Sequence, residues 1–214
     1  SYKDGLVNAL FAYQITGNSQ DLENGRYLLD ISREYFQNNR SSGLGGNQFR
    51  ANGFIYLVAL DLIWNELTRE EKEYYLEPYV DVITKSHALT RLANTDETAS
   101  GARTNVAFGL LVGNEFNGTA IGDAAANVFD QGIRHFYGYE MVKLKKSFGT
   151  HAMSGGLPDD GSRYGYNTNP YRLETMLALR NSGFDDVHFT EMARQMAKSN
   201  LFHAGTPKGV GQLA

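Results

Sequence analysis

Apolar residues recur along this chain at intervals of three and four, the period of an amphipathic helix, and almost nowhere at intervals of two. The spacing predicts a helix over residues 4–16, with Leu6, Ala9, Leu10 and Tyr13 on one face and Gly17-Asn18-Ser19 as its breaker. A second helix over 20–36 carries Leu28, Ile31, Tyr35 and Phe36. So short a connection makes the two antiparallel neighbours. Asn38 to Gly46 reads as a polar, glycine-rich connection, and a third helix follows over 48–64 with Phe54, Leu57, Val58 and Asp61. Thr68 and Glu71 then form a capping-box pattern, each side chain placed to satisfy a backbone N–H of the other. That helix continues through Tyr75, Tyr79, Val82 and Ile83. Leu89 to Arg103 reads as a long polar segment. Helix resumes near Asn105 with Phe108, Leu111 and Val112, and again over 120–136, continuing more weakly through Tyr139, Met141 and Leu144.

The stretch from Gly155 to Tyr166, GGLPDDGSRYGY, interrupts this regularity and reads as a loop in which glycine lets the backbone turn and approach a ligand. Asn169 then suits a helix N-cap and Pro170 the first helical position, with Leu173, Met176, Leu177 and Arg180 following and Gly183 as C-cap. Asp186 is expected to cap a last helix bearing Phe189, Met192, Ala193, Met196 and Ala197. The fold class expected is all-α, an incomplete α/α toroid of antiparallel helix hairpins over residues 1–204, with 205–214 a linker or tail. A helical bundle is the competing architecture.

Composition narrows the partners. A formal charge of −4 gives no support to nucleic-acid binding, and no apolar run is long enough to span a membrane. Cysteine is absent, so neither a disulfide framework nor a thiolate metal site is expected. No histidine pair has zinc-ligand spacing beside an acid, so the sequence indicates no metal and no cofactor. Thirteen tyrosines and twelve phenylalanines against one tryptophan favour rings that also hydrogen-bond, as sugar-binding surfaces use. The chain begins at Ser1 without a leader, as a mature product or a piece of a longer chain would.

The candidate chemistry gathers around that glycine-rich stretch. Arg163 and Arg172 flank its tyrosines Tyr164, Tyr166 and Tyr171, and Arg103 lies just before Asn105. A guanidinium there can bind a substrate carboxylate bidentately or lower a phenol pKa from its usual value of about 10. His151, in GTHAMSGG, titrates near neutral pH and is a candidate acid or base. His87, His135, His188 and His203 have no partner evident in sequence and read as structural.

Four segments carry a resemblance: ALFAYQITGN, ALDLIWNELTREEKEYY, ARTNVAFGLLVGNEF and GGLPDDGSRYGYNTNPYRLETMLALRNSG. Their succession resembles the helical domain of heparinase II/III-like and alginate-lyase-like polysaccharide lyases. The resemblance implies β-elimination on a uronic-acid-containing anionic polysaccharide by a secreted or periplasmic enzyme. In larger members a C-terminal β-sandwich domain follows, and this chain stops before one could begin, as a fragment would. The resemblance places Asn105 at the position that neutralises the substrate carboxylate and Tyr164 at that of the proton-transferring tyrosine. Val106 stands where many members carry histidine. Tyr164 and Asn105 are then expected to face each other across a cleft lined by Arg103, Arg163 and Arg172. Two other readings compete. A toroid glycoside hydrolase would pair Asp96 or Glu97 with Asp159 or Asp160. A non-catalytic carbohydrate-binding helical module needs only the tyrosines and arginines.

Overall fold

The computed structural model describes residues 2–44, 46–86, 96–141, 161–184, 189–190 and 193–194. Its helices are α1 (Tyr2–Thr16), α2 (Ser19–Asn38), α3 (Gly46–Leu62), α4 (Arg69–Lys85), α5 (Asp96–Val112), α6 (Ala120–His135) and α7 (Gly161–Asn181), and no described residue lies in a strand. A 3-10 turn, Trp64–Glu66, follows α3, and a π-helical turn, Phe136–Glu140, extends α6. The all-α expectation holds for the described residues. The expected tail, 205–214, and the Asp186 cap lie outside them.

Local chemistry sets most helix ends. Gly17, at φ +68°, ends α1, and the Asn18 side chain accepts the Gln20 N–H at 3.0 Å to start α2. The capping box forms in both directions: Thr68 Oγ1 accepts the Glu71 N–H at 3.2 Å, and Glu71 Oε2 accepts the Thr68 N–H at 2.8 Å. α7 closes in a Schellman motif, with Gly183 at φ +88° and the Phe184 N–H bonded to the Leu179 carbonyl at 3.0 Å.

Two helices begin earlier than the sequence pattern indicates. α5 starts at Asp96, so the end of the expected polar segment is helical and Asn105 sits within the helix. Its buried hydroxyls are absorbed locally, as where Thr104 Oγ1 donates to the Ser100 carbonyl at 2.9 Å. α7 starts at Gly161, so Asn169 is no N-cap and Pro170 lies inside the helix. The buried Asn169 amide oxygen instead accepts from Arg172 Nη1 at 3.4 Å.

The helices form two rows. α1, α3, α5 and α7 lie side by side in one row, and α2, α4 and α6 in the other. Helices within a row are parallel. Down α2 and α4, Arg26 pairs with Glu71, Arg33 Nε donates to the Tyr74 carbonyl at 2.7 Å, and Arg40 Nε meets Asp81 at 2.7 Å. The Tyr74 carbonyl needs this donor, because Pro78 has no N–H to offer it. Between the rows, Phe36, Tyr56, Tyr79 and Phe108 interlock with ring centroids 4.8–5.6 Å apart, all fully buried. The Tyr56 hydroxyl donates to the Tyr75 carbonyl at 2.9 Å and that of Tyr79 to the Gly53 carbonyl at 3.3 Å, so neither is buried unpaired.

Connections into the odd-numbered helices, 39–45, 86–95 and 142–160, all enter at one end of the array. The short ones, 17–18, 63–68 and 113–119, gather at the other. The row order therefore places the start of α7 at the same end of the array as the starts of α3 and α5.

Close approach of α5 and α6 depends on glycine. A Cβ at Gly109 would run into the Phe129 side chain, and one at Gly132 would stand 3.0 Å from Asn105 Cβ. Gly109→Ala should lower stability by about 1–3 kcal/mol in a denaturant titration. Gly138→Ala, where nothing lies within 4 Å, should not. Equal effects at the two positions would contradict the tight α5–α6 contact.

Candidate functional site

The face of the odd row turned away from the even row carries a guanidinium clamp. Arg103 of α5 is buried between two rings, its Cζ 3.8 Å from the Phe54 centroid on α3 and 4.3 Å from that of Tyr171 on α7. It pairs with Glu174, donates to Ser100 Oγ at 3.3 Å, and leaves its Nε–H without an acceptor among the described residues. Burial is the main influence on this side chain and pulls its pKa down, while Glu174 pulls it back up. Arginine remains charged throughout the accessible pH range. Positions 164, 171 and 178 recur a heptad apart, so they share one line of α7, the line that meets Arg103.

A second polar cluster lies where α6 runs out against α7. Glu140, only 1% exposed, accepts Arg172 Nε at 2.6 Å and contacts His135 Nε2 at 3.3 Å. Residues five apart on an α-helix lie roughly 140° from one another and cannot share a partner easily. The π turn removes that offset, with the Met141 N–H bonded to the Phe136 carbonyl, and brings His135 and Glu140 together. Burial alone would push the Glu140 carboxyl up. The His135 hydrogen bond and the Arg172 charge outweigh it and hold the group below the usual carboxylate range.

The sequence-derived candidates divide between these places. Arg103 and Tyr171 meet at the clamp. Arg172 turns to Glu140, so the two arginines do not line one cleft, and each is already paired with a carboxylate. Asn105 lies two residues from Arg103, roughly 200° around α5, and packs toward Gly132 of α6. It is buried and lies on the opposite side of α5 from Arg103, which meets Tyr171; the side chain of Tyr164, its expected partner, lies outside the described residues. Tyr164, Tyr166 and Arg163 fall in the first turns of α7, where the backbone is described and the side chains are not. His151, Asp159 and Asp160 lie outside the described residues, as do the side chains of Asp96 and Glu97. Glu140 and Glu174 escaped the sequence reading, in which His135 is structural with no partner evident. The His135–Glu140 pairing needs a π turn, and no sequence period announces one.

The buried Glu140–Arg172 pair gives a direct test. Glu140→Gln keeps the shape and strands the Arg172 charge, and should cost about 3–5 kcal/mol of unfolding free energy. Because the folded carboxyl titrates below its unfolded value of about 4.3, its contribution is complete at neutral pH and fades as pH falls through the folded value. The gap between wild type and variant should therefore shrink in acid. A gap independent of pH would contradict the assignment.

Compared with protein-family models, curated proteins and solved structures, the chain finds no match.

Proposed function

We propose that this chain is the helical part of a polysaccharide lyase, an incomplete α/α toroid that cleaves a uronic-acid-containing polymer by β-elimination. Two parallel rows of helices, one antiparallel to the other, support the toroid reading, since stacked hairpins produce that arrangement and up-and-down bundles do not. The observation that carries the function is the Arg103 clamp on the α7 line shared by positions 164 and 171.

Elimination at a uronic acid requires removal of the proton beside the carboxylate and protonation of the departing glycosidic oxygen. The carbon acid is weak, so the carboxylate charge must be offset as the proton leaves. In this reading Arg103 supplies the cation. Tyr171 and Phe54 hold the guanidinium flat. Tyr164, on the same line of α7, takes that proton as its phenolate and returns it to the leaving oxygen. Asn105, expected from the resemblance to neutralise the carboxylate, is replaced in that role because it lies on the far side of α5.

A second reading uses the same surface without chemistry. Arg103 already has Glu174 as counter-ion, which favours a wall of stacked rings that binds sugar and leaves it intact. The two readings differ in product. Elimination leaves a conjugated double bond that absorbs in the ultraviolet, and binding leaves nothing.

The test is unsaturated-product formation by the protein on a panel of polyuronates. Tyr164→Phe should fold normally, retain polymer binding and lose turnover by roughly a hundred- to a thousandfold, about 3–4 kcal/mol of transition-state stabilisation. Retained turnover in Tyr164→Phe, with loss in Tyr166→Phe or Tyr171→Phe, would move the role to another tyrosine. Polymer binding by wild type with no unsaturated product on any substrate would favour the binding module.

A further inference from the structure

Beyond the Arg103 clamp, toward the C-terminal ends of the odd-row helices, lies a cavity of about 340 Å3. Both α3 and α7 pack on α5, and the cavity fills the gap between them. Its walls are apolar, with Leu57 and Val58 from α3, Leu111 from α5, and two alanines, Ala107 and Ala178, that leave the space open. The volume falls at the low end of the range for small-molecule pockets, roughly 300–1,000 Å3.

One end of the cavity is polar and bears a single charge. Asp61 stands at the rim and has neither a cation nor a hydrogen-bond donor among the described residues, unlike Glu71, Glu140 and Glu174, which each hold an arginine. Nearby burial pushes its carboxyl up. Asn181 and Ser182 lie at the same end. A second feature has the same sign. The three helices around the cavity are parallel, so the C-termini of α3, α5 and α7 all end near Asp61. Each carries partial negative charge on its last carbonyls and favours a cation within its final turn.

We propose that this cavity binds a small amphipathic organic cation, an alkyl- or arylammonium. Its hydrocarbon body packs on Leu57, Val58, Ala107, Leu111 and Ala178, and its ammonium sits on Asp61 among the three helix ends. An anion of the same shape meets Asp61 and three negative helix ends and is rejected. The cavity shares Phe54 with the Arg103 clamp, but its charged group is Asp61, and the proposal does not depend on the lyase reading.

Phenethylammonium, 2-phenylethanol and 3-phenylpropanoate present nearly the same body with positive, neutral and negative heads. Titrated into the full chain and followed by calorimetry and amide NMR shifts, phenethylammonium should bind saturably and at least about tenfold more tightly than 3-phenylpropanoate. Asp61→Asn, a rim substitution, should erase most of that preference, and Ala178→Leu, which fills the cavity, should abolish binding of all three. Equal binding of cation and anion, or a preference that survives Asp61→Asn, would overturn the proposal. So would the absence of saturable binding in a cooperatively folded protein. Concentration-dependent self-association that is relieved by Ala178→Leu would also overturn it, by making the occupant a second copy of the chain.

Discussion

The aromatic layer of Phe36, Tyr56, Tyr79 and Phe108 holds the two rows of helices at one spacing. Four rings from α2, α3, α4 and α5 meet there, and each is at most 1% exposed. These rings separate the rows across α2–α5, and Gly109 and Gly132 set the close approach of the rows between α5 and α6. With its inner side committed to this layer, α3 is left to present Phe54, Leu57 and Asp61 on the other side. α5 likewise presents Arg103, Ala107 and Leu111. Both candidate binding features are consequences of that division.

Charge is distributed by the same logic. Arginines that reach the interior are each matched to a carboxylate, Arg103 to Glu174 and Arg172 to Glu140. A stranded charge at either place would cost several kcal/mol. What separates the clamp from an ordinary structural ion pair is its stacking on two rings and a buried Nε–H with no acceptor among the described residues. The Glu140 cluster leaves no such donor on Arg172 Nε and reads as the fastening of α7 to the end of α6. Asp61 is the counter-case, a carboxylate beside an apolar cavity without a partner among the described residues.

Much of the fold was legible in the sequence because its signals are local. Gly17, Asn18, Thr68 with Glu71, and Gly183 each mark a helix end through a single backbone requirement, and each does so in the structure. The starts of α5 and α7 were not legible. Thr98, Ser100 and Arg103 fall in the stretch read as a long polar segment, yet all are buried, which only neighbouring helices can bring about. Asn169-Pro170 reads as a helix start because nothing local distinguishes it from one. The site was half legible. Arg103 and Tyr171 stood out by type and meet in space, while their partner Glu174 belongs to no motif. Asn105 faces Gly132 of α6 because α5 begins at Asp96 and not near Asn105, and a residue in mid-helix is turned to whichever neighbour lies on its side.

The central claim is that function resides on the open face of the odd row. Hydrogen–deuterium exchange of the protein with and without an oligouronate tests it most directly. The account predicts slowed exchange in α3, α5 and α7 around Phe54, Arg103 and Tyr171, with α2 and α4 unchanged. Protection confined to the even row, or none at a concentration where binding is established by another method, would contradict it.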